Sequence, residues 1–200
     1  MPDHARKTCF VTIGATAAFN SLLKAALEPS FIQALHDAKY TDLLLQYGSD
    51  GKAIFDKGVS EHGDDYKQRL GVQLSGFDFK KAGLAVEMRL AKGANRLGNE
   101  EGVVISHAGS GSILEALRIG VPLIVVPNTD LLHNHQVELA EELAKQDYVI
   151  HGKIDKLSLA IDEAEKLRQR MQAWPPANND EGKGSRALEE VMNQEMGWVD

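Results

Sequence analysis

Apolar residues in this chain follow two rhythms that alternate along its length. Short runs rich in β-branched and aliphatic residues predict strands at 8–13, 42–47, 72–77, 103–106, 121–127 and 148–150. Between them, apolar positions recur every three or four residues. Leu22, Leu23, Ala26 and Leu27 predict a helix starting near Asn20, a fair N-cap; Phe31, Ile32 and Leu35 predict another that Pro29 opens. Similar spacing predicts helices over 81–97, over 113–119 with a stop at Gly120, over 133–146 and over 154–173. Residues 51–70 are polar and spotted with glycine, which predicts a surface excursion with a helical turn or two. Strands alternating with helices imply an α/β, Rossmann-like fold, a mostly parallel sheet with helices on both faces.

The pattern breaks after Ala173. Residues 174–184 are rich in Pro, Asn and Gly and read as a linker. Ser185 to Met196 predicts one more helix, with Leu188, Val191 and Met192 on one side. The expected organisation is a domain over 1–173, a linker over 174–184 and a helical tail over 185–200. The tail helix packs on its own domain or docks on a partner.

Composition narrows the class. A 200-residue chain with 43% hydrophobic and 26% charged residues builds its own core without staples, and the single cysteine, Cys9, forms no internal bridge. That suits a reducing compartment. No signal-peptide core and no run of membrane-spanning length occurs. A net charge of −7, with acids spread along the chain, argues against a phosphate-gripping nucleic-acid face. It is compatible with docking to a membrane-bound partner.

Candidate chemistry concentrates between Val103 and Ala140. A buried strand leads into the turn His107-Ala108-Gly109-Ser110-Gly111-Ser112 and then a helix, a geometry that places free backbone N–H groups where an anion can approach. Familiar motifs are excluded one by one. A hydrolase elbow needs glycines where Ala108 and Ser112 stand, the dinucleotide fingerprint needs glycine where Leu114 stands, and no Gly-Lys-Ser/Thr follows to make a P-loop. His107, His133 and His135 lack metal-ligand spacing, so no metal is expected. Glu115 stays open between a ligand role and a capping box with Ser112. Ser110, Ser112, Asn134 and Gln136 likewise read singly as caps or surface residues.

Taken together, the order His-x-Gly-x-Gly-Ser-x-x-Glu, Gly-Val-Pro, a further proline, then His-Gln and Ala resembles the donor half of GT-B glycosyltransferases. With Phe10 to Gly14, Gln46-Tyr47-Gly48, Ser106 to Ser112 and Asn134-His135-Gln136, the chain is similar to one family in particular. That family comprises the catalytic, donor-binding subunits of the two-component UDP-N-acetylglucosamine transferase of dolichol-linked oligosaccharide synthesis (glycosyltransferase family 28-like). His133 departs from the acidic residue common before Asn134, and the segment between Phe77 and Val103 is longer than the family's plain form.

The resemblance implies a set of roles. His107 and the amides of Gly109, Ser110, Gly111 and Ser112 would hold the diphosphate, and Glu115 would accept the ribose hydroxyls. Asn134, His135 and Gln136 would meet the sugar, Gly14 and Thr16 would border the cleft, and Phe77 is a candidate on the base side. The implied reaction is inverting, β-1,4 transfer of N-acetylglucosamine from UDP-GlcNAc to GlcNAc-diphospho-dolichol, without a cofactor. The chain has residues for one of the two GT-B domains, so the base is expected on a membrane-anchored acceptor subunit, in a heterodimer at the cytosolic face of the endoplasmic reticulum. The rival classes are a non-catalytic nucleotide-sugar-binding adaptor and a self-sufficient small transferase or epimerase.

Overall fold

The structure is a computed structural model that describes residues 5–14, 18–93, 98–128 and 135–173. Six strands, β1 (Lys7–Thr12), β2 (Asp42–Gln46), β3 (Gln73–Phe77), β4 (Glu100–Ser106), β5 (Leu123–Val125) and β6 (Ile150–His151), form one sheet in the order β3-β2-β1-β4-β5-β6. Every pairing is parallel, and the order reverses between β1 and β4, where doubly wound sheets bind ligands.

Helices cover both faces because side chains alternate along each strand. Cys9, Val11, Leu43, Leu45, Val103 and Ile105 face α1 (Asn20–Leu27), α2 (Pro29–Asp37), α3 (Gly48–Arg69) and α7 (Leu157–Ala173). Phe10, Val104, Leu123 and Val125 face α4 (Ala85–Lys92), α5 (Ser110–Ile119) and α6 (His135–Lys145). Fully buried side chains such as Phe10, Leu22 and Ile32 each contribute roughly 1.5–3 kcal/mol. Cys9 is wholly buried, and burial pushes its thiol far above the ordinary value.

The largest departure from expectation is α3, a 22-residue helix where a surface excursion was predicted. Two features hid it. Its polar surface is a ladder of i,i+4 ion pairs, Lys52–Asp56, Lys57–Glu61 and Asp65–Arg69, which support a helix without an apolar stripe. Its glycines are contact points rather than breaks: a Cβ on Gly51 would overlap Leu23, and one on Gly58 would press on Leu27. Tyr66 then anchors the far end by donating its hydroxyl to the Leu27 carbonyl at 3.1 Å.

Other boundaries moved less. Phe19, not Asn20, is the cap of α1. α4 is shorter than the predicted 81–97, and Gly93 ends it at φ 67°, where a Cβ would overlap the Glu100 carbonyl. A 3₁₀ turn at Ile154–Lys156 precedes α7. The linker and tail lie outside the described residues.

At the sheet's N-terminal edge a charged cluster is buried. The Lys7 ammonium, 2% exposed, lies 2.9 Å from Glu165 of α7, donates to the Ala38 carbonyl at 2.8 Å and sits 4.2 Å above the Tyr40 ring. Tyr40 donates to Glu165 at 2.8 Å, and Arg168 pairs with the same carboxylate. Burial alone would raise the Glu165 carboxyl, but hydrogen bonds from Lys7, Arg168 and Tyr40 hold it below its ordinary value.

Candidate functional site

The site begins where β4 gives way to α5. Ala108 takes φ 65°, a left-handed conformation that costs a non-glycine residue about 1–2 kcal/mol, while its side chain is buried in the core. Strain of this kind accumulates at functional turns. It makes Gly109 the cap and Ser110 the first helical residue. The first helix bond runs from the Ile113 N–H to the Gly109 carbonyl at 3.0 Å, so the N–H groups of Ser110, Gly111 and Ser112 have no acceptor within the helix. Gly111 is exposed, and a Cβ there would meet nothing within 4 Å. Packing within the chain therefore does not require that glycine; close approach of a ligand to the backbone would.

This geometry removes the capping-box reading. Ser112 is the third residue of α5 and Glu115 the sixth, too far along to reach back to a cap. Glu115 is half-exposed and makes no hydrogen bond or ion pair among the described residues. Its carboxylate is available to a ligand.

His107 is held between two strand exits. A Cβ on either Gly14 (φ 80°) or Gly109 would overlap its Nε2, so both glycines are needed for the imidazole to fit. Burial lowers the His107 pKa from its ordinary 6.5, against opposition from the Thr12 backbone, and the ring is neutral at pH 7. Its Nδ1 and the Ser106 hydroxyl are buried without a hydrogen-bond partner among the described residues. Unsatisfied buried polar atoms are uncommon, and an ordered water or a ligand would satisfy these two.

Gln136 joins the site through Asn128. The Asn128 backbone N–H donates to Gln136 Oε1 at 3.4 Å, and its side-chain amide donates to the Ala18 carbonyl at 3.4 Å. The exit of β5, the start of α6 and the loop after β1 are thus tied together. His135 begins α6, with its side chain outside the described residues; Thr16 and Asn134 lie wholly outside them. Phe77 stands apart. It ends β3, three strands from β4, stacks on Phe10 at 6.2 Å and carries the Lys80 ammonium 4.5 Å above its ring.

Sequence reasoning used Thr12 and Gln46 only as parts of family motifs and gave neither them nor Asn128 a place in the site. Thr12, Gln46 and Ser106 are register partners at the last positions of β1, β2 and β4, and all three are buried. Thr12 donates its hydroxyl to Gln46 Oε1 and accepts the Gly14 N–H at 3.2 Å, which fixes the glycine that clasps His107. A polar residue closing each of three apolar strands was the available signal. On the far side of Gly14 a cleft of about 350 Å³ is lined by Ile13, Gln46, Tyr47, Asp50, Asp78 and Phe79. Among the described residues no three His, Cys, Asp or Glu side chains are gathered to hold a metal.

The comparisons with known proteins fit this geometry. The family model for the glycosyltransferase family 28 C-terminal domain matches residues 8–190. The UDP-N-acetylglucosamine transferase subunit ALG13 of Cryptococcus neoformans var. neoformans serotype D is 35% identical over 185 residues, spanning 84% of this chain and 85% of that protein. The protein of the same name from Saccharomyces cerevisiae is 28% identical, spanning 86% and 91%. The NMR solution structure of ALG13 is similar with a TM-score of 0.62 at 26% identity, covering 92% of this chain and 96% of that one. The crystal structure of the glycotransferase of kitacinnamycin shares the fold, with a TM-score of 0.51 over 97% of this chain but 44% of its own. With the family model matching nearly the whole chain, and a strand-turn-helix junction with open helix amides beside the reversal of strand order, this chain belongs to the glycosyltransferase family 28 C-terminal domain family.

Proposed function

We propose that this chain is the donor-binding subunit of a UDP-N-acetylglucosamine transferase. It transfers GlcNAc to GlcNAc-diphospho-dolichol with inversion, forming a β-1,4 linkage, beside a membrane-anchored acceptor subunit at the cytosolic face of the endoplasmic reticulum. The observation that carries the reading is the β4–α5 turn, which combines open helix amides, an exposed Gly111, an unpartnered Glu115 and a neutral His107 in one place. Relatives named as subunits of a UDP-N-acetylglucosamine transferase support both the sugar and a second component.

The chemistry follows from the geometry. As the glycosidic bond breaks, the diphosphate gains negative charge, and the N–H groups of Ser110, Gly111 and Ser112 with the α5 dipole stabilise it without reorganising. Glu115, one turn and a half along the helix, accepts both ribose hydroxyls in charge-assisted hydrogen bonds. His107 contributes hydrogen bonding rather than charge. The family resemblance assigns Gln136, His135 and Asn134 to the sugar hydroxyls and Thr16 to the donor; Gly14 lines the cleft. The acceptor hydroxyl needs a base, which the partner supplies. Titrating the purified chain with UDP-GlcNAc by calorimetry, then adding the partner and acceptor lipid, tests both halves. No donor binding by the chain rejects the site. Binding without turnover in the reconstituted pair rejects the transferase reading.

A further inference from the structure

Six large hydrophobic residues are exposed among the described residues, and three of them fall within twelve positions: Phe79 at 55%, Val86 at 70% and Leu90 at 40%. Val86 and Leu90 are four apart on α4 and so lie side by side on one face, opposite the buried Glu87, Met88 and Ala91. Phe79 belongs to the loop that leads into α4. That loop is tied to the helix because Lys80 pairs with Glu87.

The same segment is rich in cations. Residues 79–92 carry Lys80, Lys81, Arg89 and Lys92 against the single carboxylate of Glu87, in a chain whose net charge is −7. Lys80 is neutralised by Glu87 and Lys92 by Glu101. Lys81 and Arg89 are exposed and hold no ion pair among the described residues. On α3, by contrast, Lys52, Lys57 and Arg69 each face an acid one turn away. Unpaired cations interspersed with exposed apolar side chains are the composition of a surface that lies against anionic lipid. The chain as a whole is acidic, so approach to such a surface favours a face where unpaired cations and exposed apolar side chains occur together.

We propose that the exposed face of α4 and the loop before it rest on an anionic bilayer. Val86 and Leu90 enter the headgroup region while Lys81 and Arg89 pair with lipid phosphates. Phe79 also lines the cleft beside Gly14, so a membrane held here brings the candidate donor turn close to a lipid-borne substrate. No helix among the described residues is long and apolar enough to cross a membrane, and the contact is one of surface adsorption.

The test is flotation of the full chain with phosphatidylcholine vesicles, and with the same vesicles containing phosphatidylserine. The expected result is capture by the serine-containing vesicles, reversed by salt. Val86→Asp and, separately, Arg89→Glu should each reduce the bound fraction at least about fivefold, with UDP-GlcNAc affinity unchanged. Arg89→Glu replaces an exposed, unpaired side chain and carries the test if Val86→Asp lowers the melting temperature. Equal capture by the two vesicle types, or variants that float like the wild type, overturns the proposal. If the wild type does not float but Val86→Asp loses the partner subunit in detergent, the face contacts protein and the proposal fails.

Discussion

Two residues, Glu115 on α5 and Gly14 at the exit of β1, separate functional from structural roles around His107. Glu115→Gln removes charge-assisted bonds to the ribose but breaks no intramolecular bond, so melting should be unchanged while UDP affinity falls by about 1–3 kcal/mol in calorimetry. A lower melting temperature with intact affinity would return Glu115 to a structural role. Gly14→Ala should act the other way. The left-handed backbone and the overlap with His107 should cost about 2–4 kcal/mol of folding stability, read from the denaturation midpoint at constant slope. His107 also sets a pH dependence. Its folded pKa lies below the unfolded value, so its contribution is complete above about pH 6.5 and is lost as pH falls through that value towards the folded pKa. Melting measured from pH 7 to 5 should show this decline, and His107→Asn should flatten it. Gly109, Gly111 and Glu115 were legible because a strand, a small-residue turn and a helix adjoin in sequence. Thr12, Gln46 and Asn128 were not, since Thr12 and Gln46 meet across 34 positions and Asn128 reaches Ala18 across 110.

Among the elements, those with an apolar stripe or run were readable and α3 was not. Every strand was located, with ends displaced by up to three residues, because a buried parallel strand is a nearly continuous apolar run. α3 stabilises itself by surface ion pairs and by close approach of its glycines to α1, features that a periodicity reading takes for loop. The two kinds of glycine it contains should respond oppositely to the same change. Gly63→Ala, near only its own Val59, should stabilise by up to about 1 kcal/mol through helix propensity. Gly51→Ala gains the same propensity but drives a methyl into Leu23, and it should be net destabilising in the same denaturation assay.

Across the whole molecule, polar side chains gather at both ends of the sheet. The C-terminal edge buries His107 Nδ1 and the Ser106 hydroxyl without a hydrogen-bond partner among the described residues, whereas the N-terminal edge draws Lys7, Tyr40 and Arg168 onto the one carboxylate of Glu165. Glu165→Gln should leave the Lys7 ammonium uncompensated and lower stability by about 3 kcal/mol, with UDP affinity retained in the folded fraction. We propose that residues 185–200, which lie outside the described residues, are the handle for the membrane-bound partner and that 174–184 link them to the donor domain. Cutting after Ala173 should then preserve donor binding and melting temperature while abolishing transfer by the reconstituted pair. A drop of several kcal/mol in stability would instead make the tail part of the domain.

Cys9 has a practical consequence. It is the chain's one cysteine, wholly enclosed, and its thiol is held protonated, while alkylating reagents attack exposed thiolates. The folded protein should therefore be silent to maleimide. A thiol introduced by Val86→Cys would be the single group that takes up a fluorophore or spin label, so the distance and polarity around α4 could be followed without first removing the native sulfur.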